Sequence, residues 1–152
     1  MKKLLNLLLL VALAIGFVSC EPVENTDSKY ESKLVGKWNA ISIKGILSQG
    51  SLVLQEEVIT LPAEGKCESL VFDFKKEGTF EIIVVYADGD KDIEEGEYSI
   101  VDGVLIMRAK GDPDEKDSLE IIDISNKNMT LKILESMGSG ITAAFEIYFD
   151  KL

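Results

Sequence analysis

The chain has 152 residues, 28% of them charged, with 27 acidic against 16 basic side chains and a net charge of −11. So acidic a surface repels nucleic acid and anionic headgroups; no nucleic-acid partner is expected, and solubility in a crowded setting is the plain reading of the charge. Histidine is absent, which removes Ser-His-Asp and Cys-His catalysis, imidazole metal sites and histidine pH switching, and leaves only carboxylate chemistry or calcium to consider.

The first residues fall into three parts. Lys2 and Lys3 give a positive start, residues 4–18 are almost wholly apolar, and the small Ser19 precedes Cys20. That is the layout of a secretory signal. The apolar run is shorter than the roughly 18–20 residues that cross a ~30 Å hydrocarbon core, and Glu21-Pro22 ends it, so a permanent span is the weaker reading. Phe17-Val18-Ser19-Cys20 resembles the lipobox of bacterial lipoproteins, with Phe where Leu is usual. The resemblance implies cleavage before Cys20 and acylation of its thiol with chains such as palmitate. Two acyl chains anchor a protein stably, at about 0.8 kcal/mol per buried CH2. The expected organisation is a signal peptide over 1–19, a lipidated tether over 20–32 and one domain over 33–152. The expected address is the bacterial envelope, at the outer membrane. With Cys20 committed to lipid, Cys67 is a lone thiol and no disulfide framework exists.

Residues 21–32 are polar and acidic without periodicity, and read as a solvated linker. Beyond them come short extended runs divided by turn signals: 38–46, 52–61, 69–74, 79–86, 95–101, 104–109, 118–124, 129–135 and 141–149. Asp102-Gly103 is the strongest hairpin signal, since such a turn needs positive φ. Regular spacing of this kind predicts an all-β, antiparallel up-and-down barrel of about 8–9 strands. Alternation assigns Leu70, Phe72 and Phe74 to one face of their strand. It does the same for Phe80, Ile82, Val84 and Tyr86, for Tyr98 and Ile100, for Met129, Leu131 and Ile133, and for Phe145, Ile147 and Phe149.

The segment Leu34-Val35-Gly36-Lys37-Trp38 carries the Gly-x-Trp that opens the first strand in lipocalins. Residues 70–80 (with Gly78-Thr79-Phe80), the hairpin at Gly96-Glu97-Tyr98-Ser99-Ile100 and Asp102-Gly103-Val104-Leu105, and Phe145-Glu146-Ile147-Tyr148-Phe149 follow in an order that resembles the lipocalin-like domain of Bacteroidota lipoproteins. The resemblance covers residues 33–152. It implies a barrel with Trp38 plugging one end and a small apolar ligand inside. The chain departs from lipocalins in lacking their Thr-Asp-Tyr motif, an Arg near the C-terminus to stack on the Trp, and a helix after the last strand.

Candidate ligand contacts are Trp38, Phe72, Phe80, Tyr98, Arg108 and Phe145. The aromatics serve equally as plain core. Arg108 shares parity with Val104 and Ile106; turned inward it would hold an anion or buried carboxylate, whereas a strand-end Arg more often reaches solvent. Asp88-Gly89-Asp90-Lys91-Asp92 places oxygens at alternate positions, but Ile93 and Ser99 stand where a calcium loop needs Gly and Glu. Paired carboxylates among Glu94, Glu95 and Glu97 could do acid–base work on glycosides, but Glu95 and Glu97 alternate with Tyr98 and point to solvent. No enzyme and no cofactor is expected. Two readings remain: a barrel that holds a small apolar ligand, or a filled barrel that presents its outside to an envelope protein partner.

Overall fold

A computed structural model describes residues 27–62, 67–112 and 114–152. The expected signal peptide and Cys20 lie outside the described residues. Among these, one helix and nine antiparallel strands follow in order: α1 (Asp27–Leu34), β1 (Gly36–Gln49), β2 (Leu52–Thr60), β3 (Cys67–Phe74), β4 (Thr79–Tyr86), β5 (Lys91–Val101), β6 (Val104–Ala109), β7 (Asp117–Ile124), β8 (Asn128–Gly138) and β9 (Ile141–Lys151). No described helix is long and apolar enough to cross a membrane.

Eight of the strands close on themselves. Each of β3 to β9 pairs with its neighbour in sequence, and β1 pairs with both β3 and β9. Closure leaves no free edge between β1 and β9, which are bonded from Trp38↔Lys151 to Gln49↔Ile141. The other edge of β1 is divided: Gly36–Asn39 pair with β3, and Ser42–Gln49 pair with β2. Hence β2 lies outside the closed ring as a ninth strand. Beyond Val71, β3 runs toward Cys67 without a partner on β1.

The inward parity expected from alternation is the one that is buried. Leu70, Phe72 and Phe74, then Phe80, Ile82 and Val84, then Met129 and Leu131, then Ile147 and Phe149 are each under 8% exposed. Asp102 and Gly103 both have positive φ, at 52° and 77°, the geometry of a type I′ hairpin turn, which favours Asp-Gly.

Residues 27–32, expected to belong to a solvated linker, are part of α1, which runs over residues 27–34. Tyr30 and Leu34, one turn apart, are its apolar contacts with the barrel, and Leu34 is fully buried. Asp27 in the first turn and Lys33 in the last suit the helix dipole. Lys33 Nζ also donates to the Ile124 carbonyl at 3.2 Å. Two apolar residues are too few to register as a helical period, so tertiary packing holds this helix.

Candidate functional site

The two ends of the barrel differ. At the end where β1 begins, the Trp38 indole donates to the Leu34 carbonyl at 2.7 Å, and Trp38 is fully buried. Lys151 Nζ lies 4.8 Å from the ring centre and donates to the Lys33 carbonyl at 3.0 Å. Gly36, with φ of +128°, lets the chain turn in below: a Cβ there would stand 2.8 Å from Lys151 Cε. Phe72 packs edge-on against Phe149 with centroids 5.1 Å apart, and Phe74 against Tyr98 at 5.2 Å. Tyr98 is half-buried and donates to the Lys75 carbonyl at 2.8 Å. The Phe80 ring covers Gly96 so closely that a Cβ would meet it at 2.7 Å. This end is plugged by α1 and filled by rings.

At the opposite end many inward positions are only half-buried. Ile43, Gly45 and Leu47 of β1, Tyr86 of β4, Asp92 and Glu94 of β5, Asp117 of β7, and Phe145 of β9 all fall in this class. Small residues share the wall: Gly45 lies 3.6 Å (from its would-be Cβ) from the Phe145 ring, and Ala143 and Cys67 are buried beside the rim. The barrel is packed more tightly at the Trp38 end than at this one, in the form of a cup.

The walls of the cup are acidic. Inward parity on β5 runs Asp92, Glu94, Gly96, Tyr98, Ile100, and Tyr86 Oη donates to Asp92 Oδ2 at 2.8 Å. Burial, with the charge of Glu115, lifts the Glu94 carboxyl above its ordinary value. Asp117 is pushed up to about 6 by burial and by the negative charges of Glu115 and Glu94. On β8, inward parity continues from Met129, Leu131 and Ile133 to Glu135. That residue is 2% exposed, and neither carboxylate oxygen has a hydrogen-bond partner. Burial raises its pKa as well. Among the described residues no three Asp, Glu, Cys or His side chains converge closely enough to hold a metal ion. The Cys67 thiol is buried and its pKa raised by burial, the setting of an unreactive cysteine.

Of the six candidate contacts, Trp38, Phe72, Phe80 and Tyr98 are brought together, but in the plug below the cup. Phe145 stands apart from them in the half-buried wall. Arg108 does not line the interior: β6 buries Leu105 and Met107, so Val104, Ile106 and Arg108 hold the outward parity, and Arg108 is exposed. Both faces of that strand are apolar, which left its sense ambiguous from sequence. Glu95 and Glu97 point to solvent as expected. Glu135 and Asp117 were missed as site residues, although counting on from Ile133 and back from Leu119 places both inside.

No protein-family pattern matches the chain, and no curated protein matches it in sequence. Solved structures do match in fold. A lipocalin-like protein from Bacteroides uniformis aligns at 19% identity with a TM-score of 0.51, covering 79% of this chain and 99% of that one. Lobster apocrustacyanin A1 aligns at 14% identity and 0.51, and apocrustacyanin C1 at 13% and 0.54; each match covers 82% of this chain and 64% of the other. The fold is that of the lipocalin-like barrels.

Proposed function

We propose that this protein is a non-enzymatic binding module that holds a small, largely apolar molecule in the open half of its barrel. One observation carries the reading: the interior is sealed by rings at the Trp38 end and half-buried at the other, with Phe145, Ile43 and Leu47 in the wall. Concave apolar sites with a few polar groups are the usual form of small-molecule pockets. The N-terminal Lys2-Lys3, apolar run and Cys20 support a lipid anchor that holds the cup at an envelope membrane. Native mass spectrometry of the mature protein from its own host tests the binding role. A co-purifying molecule of a few hundred daltons, released on denaturation, is expected; an apoprotein mass alone counts against it. A Cys20→Ala precursor tests the anchor, since continued palmitate labelling would contradict it.

A second reading rests on β2. All nine of its residues are exposed, and Leu52, Val53, Leu54, Val58 and Ile59 are each at least 44% exposed. A strand bonded on one edge with apolar side chains in solvent suits an interaction role with a protein partner. Recovery of a protein instead of a small molecule in the same spectrum would favour it.

A further inference from the structure

One stretch of the barrel wall carries no charge. Residues 45–55 and 136–145 hold no Asp, Glu, Lys or Arg, in a chain of which 28% is charged. They are the far ends of the β1–β2 and β8–β9 hairpins, and the two turns are tied together. Gly50 N–H donates to the Gly140 carbonyl at 3.4 Å, and the Gln49 side-chain amide donates to the Ser139 carbonyl at 3.3 Å. β8 continues to Gly138 past its pair with β7 at Glu120↔Lys132, so β2, β1, β9 and β8 form a four-stranded finger there. Leu134, Ala144 and Ile46 make one row on its outer face, with Val53 and Val58 of β2 on either side of that row. Leu134, Val53 and Val58 are each at least 55% exposed.

Among the described residues β2 pairs with β1 alone, so its other edge has no strand beside it. The N–H and C=O groups of that edge decide what covers the finger. Hydrocarbon cannot bond them, and open sheet edges do not sit in lipid. A second copy fits poorly: pairing β2 with itself over Leu52–Thr60 sets Glu56 of one copy against Glu56 of the other, and like charges directly opposite destabilise a sheet. The mature chain's own start falls short. Residues 20–26 carry Glu21 and Glu24 and reach at most about 25 Å. They lead into Asp27, which accepts from Gly103 N–H at 3.4 Å and opens the helix of the plugged end. Glu56 lies opposite Ile46, about 33 Å of strand beyond Gly36. Residues 63–66 bridge Pro62 and Cys67.

An extended segment of another protein meets every requirement, since its backbone continues the sheet and its side chains alternate between the two faces. Charge specifies it further. Glu56 shares the outer face with Val53 and Val58, and Glu57 shares the inner face with Ile59. Lys44 reaches Glu56 at 3.2 Å from the β1 side. Two consecutive basic residues flanked by β-branched ones match both faces at once. We propose that β2 is a docking edge for such a segment of a partner protein, which adds as a tenth strand with its basic pair at Glu56 and Glu57. This rests on the second reading above and names the chemistry of the partner.

Nuclear magnetic resonance of the unlipidated mature chain (Cys20→Ala) tests it, with the capped octapeptide Thr-Val-Ile-Lys-Lys-Val-Ile-Thr as probe. In the free protein hydrogen exchange should be slow at alternate β2 amides only, because β1 bonds every second N–H. The peptide should slow the remaining set, with shifts centred on Leu52–Thr60. It should bind about tenfold more tightly than the same peptide with Glu for both Lys, and that ratio should fall about threefold in Glu57→Gln. A version with Pro for both Val should not bind. Slow exchange at every β2 amide of the free protein means that the chain itself, or a second copy where the protection depends on concentration, already covers the edge; either overturns the proposal. Flotation of the protein with phosphatidylcholine vesicles overturns it in favour of lipid. Equal binding of the Lys and Glu peptides at β2 overturns the basic segment and leaves a protein-binding strand standing. No shift on β2 with either peptide overturns both.

Discussion

Lys151 and Trp38 close the barrel between them. The ammonium over the indole also donates to the last turn of α1, so one side chain links the final strand, the first strand and the helix. An Arg was the residue sought there; Lys151 holds the place with the same charge. Lys151→Met should cost about 1–2 kcal/mol in urea unfolding, and Lys151→Arg should recover most of it. At the other end, burial works against charge. Asp117 in the folded chain titrates at about 6 against an ordinary 3.8, so the folded state holds the proton more tightly than the unfolded state. Ionisation then removes stability as pH rises from about 4 to about 6, and the loss persists above that range. Its size is on the order of 2 kcal/mol. Asp117→Asn should raise the urea midpoint at neutral pH and flatten the slope of stability between those two values. An unchanged difference between variant and wild type across that range would show that Asp117 is not held this way.

Among the elements, α1 and β2 carry opposite weight. Leu34 is fully buried under the plug, and Leu34→Ala should cost about 2–5 kcal/mol. Val58 on β2 is 58% exposed, and Val58→Thr should change stability by less than about 0.5 kcal/mol. Equal losses in urea titration would contradict the placing of β2 outside the ring. The barrel strands were legible because their alternation is sharp, as in Met129, Leu131 and Ile133 against Thr130 and Lys132. The place of β2 was not, since Leu52–Thr60 has the composition of a barrel strand and only the divided edge of β1 excludes it. The start of β5 was hidden for another reason. Lys91-Asp92-Ile93-Glu94 has the charge of a turn, yet Asp92 and Glu94 continue the inward parity of Tyr98. Local composition and strand periodicity disagreed there, and periodicity won because Lys91–Ile93 are bonded to Val85–Ile83 of β4.

At the scale of the whole molecule, the barrel is polarised along its axis. Rings, a buried Trp and a helix fill one half; small residues, a half-buried Phe and inward-facing carboxylates line the other. The aromatic candidates were read correctly as inward-facing, but four of the six belong to the plug, because alternation reports which face a side chain takes and not its height along the axis. Height comes from register, which needs the pairing of every strand. A ¹H–¹⁵N correlation spectrum of the mature protein titrated with octanol tests this polarity most directly. Saturable shifts should appear at Gly45, Glu94, Asp117, Glu135 and Phe145, with Gly36, Trp38 and Leu34 unmoved. Shifts centred on the Trp38 end or on β2, or none anywhere, would contradict an open acidic cup as the binding site.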